Sequence, residues 1–224
     1  MTNEIAHRRR HKNPTYKTAQ EKFWAGDFGT RYIDRNRSEK ILAASVALFS
    51  TALRRTQGIR DCIEFGANIG INLRALQLLY PGLRPYAVEI NATAVATLEG
   101  VVPSENIHFI SILDFAPKRN YDLVIVKTVL IHINPNWLSN VYEKLYRSCG
   151  RYLVICEYYN PSPTMVEYRG YKARLFKRDF AGEMLDKYRD LSLLDYGFVY
   201  HRDPNFPQDD VNWFLLEKVS RSGK

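Results

Sequence analysis

The sequence predicts an α/β protein: a doubly wound, mostly parallel seven-stranded sheet with an antiparallel C-terminal hairpin and an N-terminal helical cap. Three observations predict it. Short apolar runs at 60–65, 84–90, 106–112, 121–127 and 150–157 alternate with helical spacings, the pattern of parallel strands joined by crossover helices. Three of these runs close on an acid, Glu64, Glu89 and Asp114, and strand ends in an open parallel sheet converge on one ligand crevice. Two further strand patterns, Leu193 to Tyr200 and Val211 to Lys218, are joined by a loop rich in Pro and Asp, which pairs them as a hairpin.

Taken in order, residues 1–22 hold Arg8, Arg9, Arg10, Lys12, Lys17 and Lys22 against Glu4 and Glu21, so +4 of the chain's net +8 lies there. The run reads as a basic, solvated and mobile tail. Residues 23–224 form a single domain, in which 23–55 is the cap and 160–190 a substrate-side insertion. Arg37 to Arg55 has helical spacing, with Asn36 and Glu39 placed as a capping box at its start. The first strand then runs into Glu64-Phe65-Gly66-Ala67-Asn68-Ile69-Gly70. A turn this tight needs glycine for positive φ and for close approach to a ligand. Its glycines are one position short of the Gly-x-Gly-x-x-Gly dinucleotide fingerprint. Asn68 tolerates the left-handed conformation that the middle of the turn demands. Residues 160–178 break the strand–helix rhythm with Pro161, Pro163 and Gly170 among aromatic and basic side chains, and Asp179 to Tyr188 is a short amphipathic helix.

At 224 residues and 46% hydrophobic content the chain suits one domain with a two-sided core, and no apolar run reaches a membrane span. The N-terminus lacks the apolar centre of a secretory signal. Cys62, Cys149 and Cys156 are an odd count without metal-ligand spacing. A reducing cytoplasm and no bound metal are the expectations.

The glycine turn resembles the first motif of class I S-adenosylmethionine (SAM) methyltransferases, and five parallel strands ending in an antiparallel pair are that family's topology. A narrower resemblance spans nearly the whole chain after the tail. The blocks Phe23-Trp24-Ala25-Gly26-Asp27-Phe28-Gly29-Thr30-Arg31-Tyr32-Ile33-Asp34-Arg35-Asn36, Val129-Leu130-Ile131-His132-Ile133-Asn134-Pro135, Glu157-Tyr158-Tyr159-Asn160-Pro161 and Tyr168-Arg169-Gly170 are similar to the pseudaminic acid biosynthesis-associated methylases. That resemblance implies SAM as cofactor and a small anionic sugar or nucleotide sugar, of the nonulosonic acid type, as acceptor.

Methyl transfer from a sulfonium needs an aligned nucleophile and a dry site, and a hydroxyl nucleophile is helped by a general base. Cofactor candidates are Trp24, Tyr32, Glu64, Gly66, Ala67, Asn68, Gly70, Glu89, Ile90, Leu113, Asp114 and Phe115. Glu89 is expected to accept ribose hydroxyls, Asp114 the adenine amine, and Phe115 backbone a ring nitrogen. Catalytic candidates are His132, whose ordinary pKa suits a base, Lys127 and Tyr158. Substrate candidates are Tyr159, Arg169, Tyr171 and Lys177, within a region where guanidinium and ammonium groups offer charge-assisted bonds to an anion. A nucleic-acid methyltransferase using the basic arm is the main rival. Adenine-specific enzymes of that kind carry an (Asp/Asn)-Pro-Pro-aromatic loop, whereas this chain has Asn134-Pro135-Asn136-Trp137. Small-molecule chemistry is therefore favoured, with transfer to oxygen ahead of nitrogen.

Overall fold

The computed structural model describes residues 16–219, so Arg8, Arg9, Arg10 and Lys12 of the basic tail lie outside the described residues. The chain begins with α1 (Ala19–Ala25), α2 (Asp27–Tyr32) and α3 (Glu39–Ala52). It continues through β1 (Asp61–Phe65), α4 (Ile71–Leu79), β2 (Arg84–Glu89), α5 (Ala92–Leu98), β3 (Ile107–Phe109) and β4 (Tyr121–Lys127). It ends with α6 (Leu138–Ser148), β5 (Cys149–Glu157), β6 (Thr164–Tyr168), β7 (Tyr171–Lys177), α7 (Phe180–Lys187), β8 (Leu191–Val199) and β9 (Val211–Lys218).

Seven strands form one sheet in the order β3-β2-β1-β4-β5-β9-β8, parallel from β3 to β5 and antiparallel beyond. The central strands are buried on both faces, and their alternation sends side chains into two cores. Cys62, Leu123, Ile125, Val154 and Cys156 pack with Leu48, Phe49, Leu73 and Leu76 of α3 and α4. Ile63, Val124, Val126, Leu153 and Ile155 pack with Val141, Leu145, Phe180 and Met184 of α6 and α7. The strand order reverses between β1 and β4, which opens the ligand crevice of such a sheet above that pair.

Several boundaries differ from the sequence reading. The tail does not extend to residue 22. Thr18 and Glu21 make both halves of a capping box, Glu21 N to Thr18 Oγ1 at 3.1 Å and Thr18 N to Glu21 Oε2 at 2.7 Å. The next helix is capped by Ser38, whose hydroxyl accepts Ile41 N at 3.2 Å, while Asn36 ends a 3-10 turn. The expected strand over 106–112 shrinks to three residues at the sheet edge. The irregular insertion is a β6–β7 hairpin, whose two-residue turn holds Arg169 and Gly170 at φ 53° and 82°. Positive φ at both central positions is the geometry that suits the twist of a hairpin.

Helices α1 and α2 meet at Gly26 and lie across the carboxyl edge of the sheet. Asn91, at the end of β2, fastens them there: its Oδ1 caps α5, and its Nδ2 donates to Trp24 O at 3.1 Å and to Thr30 Oγ1 at 3.2 Å. Gly29 sits so close under the Trp24 carbonyl that a Cβ would overlap the backbone oxygen. Gly29→Ala is therefore expected to pry α2 from α1. Hydrogen exchange should then show lost protection over 19–32 with the strands β1, β4 and β5 still protected.

Candidate active site

The crevice is a cavity of about 530 Å³. Its floor is the turn Gly66-Ala67-Asn68, and one end is formed by Val88 to Asn91 with Ser111 to Leu113. The other end holds Lys127 to Val129, His132 to Asn134, Tyr158, Tyr168, Arg169 and Pro207 to Asp209, and Gln20, Glu21, Trp24 and Tyr32 roof it.

The turn has the left-handed residues its sequence implied, with Gly66, Asn68 and Gly70 at φ 76°, 49° and 80°. Its N–H groups are spent internally. Gly66 N and Ala67 N donate to Val88 O at 2.8 and 3.3 Å, Asn68 N to Glu89 Oε2 at 2.7 Å, Ile69 N to Asn68 Oδ1 at 2.8 Å and Gly70 N to Ala67 O at 2.9 Å. A dinucleotide site aims such groups at a pyrophosphate, so this turn is no phosphate cradle. Gly66 is required by close approach: a Cβ would come within 2.5 Å of Val129 Cγ2. Gly70 does not line the cavity. A Cβ there would meet Leu98 at 2.7 Å, so its glycine serves the packing of α4 on the end of α5.

Glu89 is buried, and its Oε1 accepts Ile90 N at 2.8 Å and Asn91 N at 2.7 Å. Burial raises its pKa while the three N–H donors oppose that rise. Oε2, with the Asn68 donor alone, keeps the freer lone pair for a ligand hydroxyl. Glu64 lies behind the turn instead of on the cavity wall. Its Oε1 accepts Asn72 Nδ2 at 2.6 Å, and its Oε2 is buried without a hydrogen-bond partner. Burial pushes this carboxyl up to about 8, against the pull of Asn72 and Lys127.

Asp114 and Phe115 are not on the cavity wall. Asp114 forms an ion pair with Lys17, and the Phe115 ring is buried against Phe65 at 5.4 Å. The backbone N–H groups of both donate to Ser111 O, at 3.0 and 2.9 Å. The short β3 ends too early to present Asp114. The carboxylate at this end of the cavity comes from α1 instead, where Glu21 accepts the Ser111 hydroxyl. Its signal in the sequence was the Thr18-x-x-Glu21 capping box.

Trp24, Tyr32, Ala67, Ile90 and Leu113 line the cavity with Lys127, His132, Tyr158 and Arg169. His132 Nδ1 lies 2.6 Å from Arg174 O. A carbonyl only accepts, so Nδ1 carries the proton and Nε2 keeps the lone pair. Burial lowers its pKa to about 4, well below the ordinary value the sequence reading assumed. It is a neutral acceptor and a weak base. Its ring stands 4.6 Å from Trp24 and 5.0 Å from Tyr168. Burial raises the Tyr32 phenol to about 12, helped by the Tyr168 and Asp209 charges and opposed by Arg169 and Arg35.

Three substrate candidates fall outside the wall. Tyr159 is exposed beside Phe214, Tyr171 packs on Phe23 and Phe28, and Lys177 Nζ lies over the Tyr158 ring at 5.1 Å. Arg169 alone of that group lines the cavity, its guanidinium 5.4 Å from the Tyr168 ring centre. Arg35, absent from the candidates, lines it too, 5.8 Å from the Tyr32 ring.

Glu157 was also missed. It is buried at the end of β5, and its carboxylate accepts Val129 N at 2.8 Å, Leu130 N at 2.7 Å and Ile131 N at 3.5 Å. It thereby caps the 3-10 turn that carries His132. Burial pushes its carboxyl up to about 8, with the N–H groups and Lys127 opposing.

No family model matches the chain, and no curated protein matches its sequence. Solved structures do match its fold. The Burkholderia thailandensis 1,6-didemethyltoxoflavin-N1-methyltransferase, with its substrate and S-adenosylhomocysteine (SAH), is similar at TM-score 0.61 and 14% identity over 87% of this chain and 86% of that one. The plantazolicin methyltransferase BpumL with SAH gives 0.60 and 14% over 90% and 95%. The magnesium protoporphyrin IX methyltransferase of Synechocystis PCC 6803 with SAM gives 0.54 and 13% over 89% and 90%. At these identities the likeness shows the fold alone, a mostly parallel seven-stranded sheet flanked by helices and ending in an antiparallel hairpin. Among the described residues no helix is long and apolar enough to cross a membrane.

The raised carboxyls set a pH dependence. A folded-state pKa above the unfolded value gives stability that is full below about 4.5 and lost as pH rises through about 8. Urea unfolding from about pH 5 to about pH 9 is expected to show that decline, and Glu157→Gln, which cannot ionise, to flatten it.

Proposed function

We propose that this protein is a SAM-dependent methyltransferase that transfers a methyl group to a small, anionic acceptor, with oxygen the favoured atom. The observation that carries the reading is the floor of the cavity. Its turn N–H groups are used internally while Glu89 lines the cavity with Oε2 bonded to Asn68 N alone among the described hydrogen bonds, which suits a ribose beside a cationic sulfonium and not a pyrophosphate. The cavity volume of about 530 Å³ lies within the range of about 300–1,000 Å³ usual for small-molecule sites.

In this reading Glu89 takes a ribose hydroxyl, Ile90 and Leu113 flank the adenine, and Gly66 to Asn68 lie under the amino-acid tail. Bound SAM supplies an electrophilic methyl on sulfur. The chain's part is to align the acceptor and exclude water, and Trp24, Tyr32 and Tyr168 wall the cavity for that purpose. Gln20 Oε1 and Trp24 Nε1, both on the roof and buried without hydrogen-bond partners, fit polar groups of a ligand.

The anionic acceptor rests on Arg169 and Arg35, which line the cavity and form no salt bridge among the described residues. Arg169 occupies a left-handed position where glycine or asparagine is the unstrained choice. An arginine in that strained position supports a functional role for its side chain. The resemblance of the sequence blocks to the pseudaminic acid-associated methylases supports a nonulosonic acid or its nucleotide-activated form.

SAH titration by calorimetry tests the cofactor half. Glu89→Gln is expected to weaken binding about 10- to 100-fold, the loss of one hydrogen bond to a charged group, and unchanged affinity would remove Glu89 from the site. SAH release against free and nucleotide-activated nonulosonic acids, neutral UDP-sugars and mixed DNA and RNA tests the other half. Turnover confined to acidic sugars is expected, with Arg169→Ala raising acceptor KM about tenfold at little cost in kcat. Turnover with nucleic acid alone would overturn it.

A further inference from the structure

Among the described residues three carboxylates line the cavity: Glu21, Glu89 and Asp209. The first two are engaged. Glu89 accepts three backbone N–H groups, and Glu21 accepts Lys17 N, Thr18 N and the Ser111 hydroxyl. Asp209 accepts no backbone N–H among the described hydrogen bonds, yet its loop holds it in place. At the base of the β8–β9 connection His201 N and Nδ1 bind Asp210 Oδ1 at 2.9 and 2.8 Å. Asp203 Oδ1 folds the tip by accepting Asn205 N and Phe206 N, each at 2.8 Å. Gln208 Nε2 donates to Ala44 O of α3 at 2.7 Å. Asp209 is therefore fixed between an anchored neighbour and a clipped one. Tyr158, just after β5, lines the same cavity; burial raises the pKa of its phenol, and the Asp209 charge adds to that rise.

We propose that Asp209 is the general base that accepts the proton of an acceptor hydroxyl, with Tyr158 orienting its carboxylate. The proposal rests on the methyl-transfer reading above. The proton passes from the acceptor O–H to the carboxylate as the oxygen lone pair forms the bond to the methyl carbon. The carbon–sulfur pair returns to sulfur, leaving a methyl ether, SAH and protonated Asp209. Asp209 is exposed at the cavity mouth, so it returns the proton to solvent. His132 is the rival base: Arg174 O holds its Nδ1 proton, which leaves the Nε2 lone pair free. The groups facing Asp209 are Tyr158 from β5 and Tyr32 from α2, with Arg35 beyond α2 and Arg169 on the hairpin turn acting on the same Tyr32. His201 and Lys127 line the same cavity.

Asp209→Asn keeps the side chain's shape and removes its basicity. With a hydroxyl acceptor that the wild type turns over, kcat is expected to fall about 100-fold or more, while SAH affinity and acceptor KM stay within about threefold. The acidic limb of the pH–rate profile should disappear. Without any acceptor, an ultraviolet pH titration should show one tyrosine ionising at lower pH in Asp209→Asn, a change absent when Tyr158→Phe is the background. A variant that keeps kcat within a few-fold overturns the proposal. So does a wild type that binds SAH yet methylates only nitrogen or no hydroxyl at all, which leaves the cofactor reading standing. Failure of the wild type to bind SAH strikes the methyl-transfer reading itself and takes the base with it.

Discussion

Glu89 sits at the end of β2 with its carboxylate out of water, and three backbone N–H groups from two chain segments converge on it. Burying the charge costs several kcal/mol. Charge-assisted bonds of about 1.5–3 kcal/mol each offset that cost. The bond to Asn68 N also clamps the turn after β1 to the neighbouring strand. Glu157 repeats the device on the other side of the reversal in strand order, reaching from β5 to the loop after β4. β1 and β4 are adjacent, so the two loops that frame the crevice are each held by a carboxylate from the next strand outward. Only with both loops fixed can Val129 seat against Gly66, where a single added carbon would collide.

The roof is fastened differently. Asn91 holds the backbone of α1 and α2, Gln20 Nε2 donates to Ala173 O at 3.0 Å, and Glu21 meets Ser111. Between these joins lies an aromatic layer in which Trp24 contacts Phe28, Tyr32, His132 and Tyr168. A neutral hydrogen bond contributes only about 1 kcal/mol, far less than the strand ladders and two cores beneath. The roof is thus the element whose opening costs least, and it is the one that lies over the cavity.

The sheet was legible because strand alternation and strand-end acids are local in sequence. The β1 turn was legible for the same reason, down to the left-handed Asn68. What escaped were contacts made across long separations. Asp114 was a sound strand-end acid by spacing, but β3 stops at Phe109 and the acid turns toward Lys17. Glu21 had been placed in a solvated tail, although its capping box with Thr18 was there to be read. Glu157 carried the same signal as Glu64 and Glu89 and was passed over because its partners are backbone groups, which no sequence pattern marks. His132 lines the cavity, yet its basicity depends on burial and on Arg174 O, 42 positions away. Asp209 lies in a loop whose order comes from Asp210, Asp203 and Gln208 bonding backbone, so its composition resembled any polar connection.

These placements divide the cavity by charge. Glu89 and Glu21 stand at the β2 and β3 end, whereas Arg35, Arg169 and Lys127 line the cavity with Tyr32, Tyr168 and the single carboxylate Asp209. The floor between them offers an anion nothing, because its N–H groups are already bonded. An anionic ligand group is therefore attracted to the guanidiniums and repelled from the carboxylate end, while a cation is accommodated between the two. A ligand with a ribose and a positive centre and a second ligand with a negative group thus enter with opposite preferences. The polarity that orders them comes from charged side chains on separate segments of the chain, α1, the turn after α2, the end of β2 and the β6–β7 turn among them.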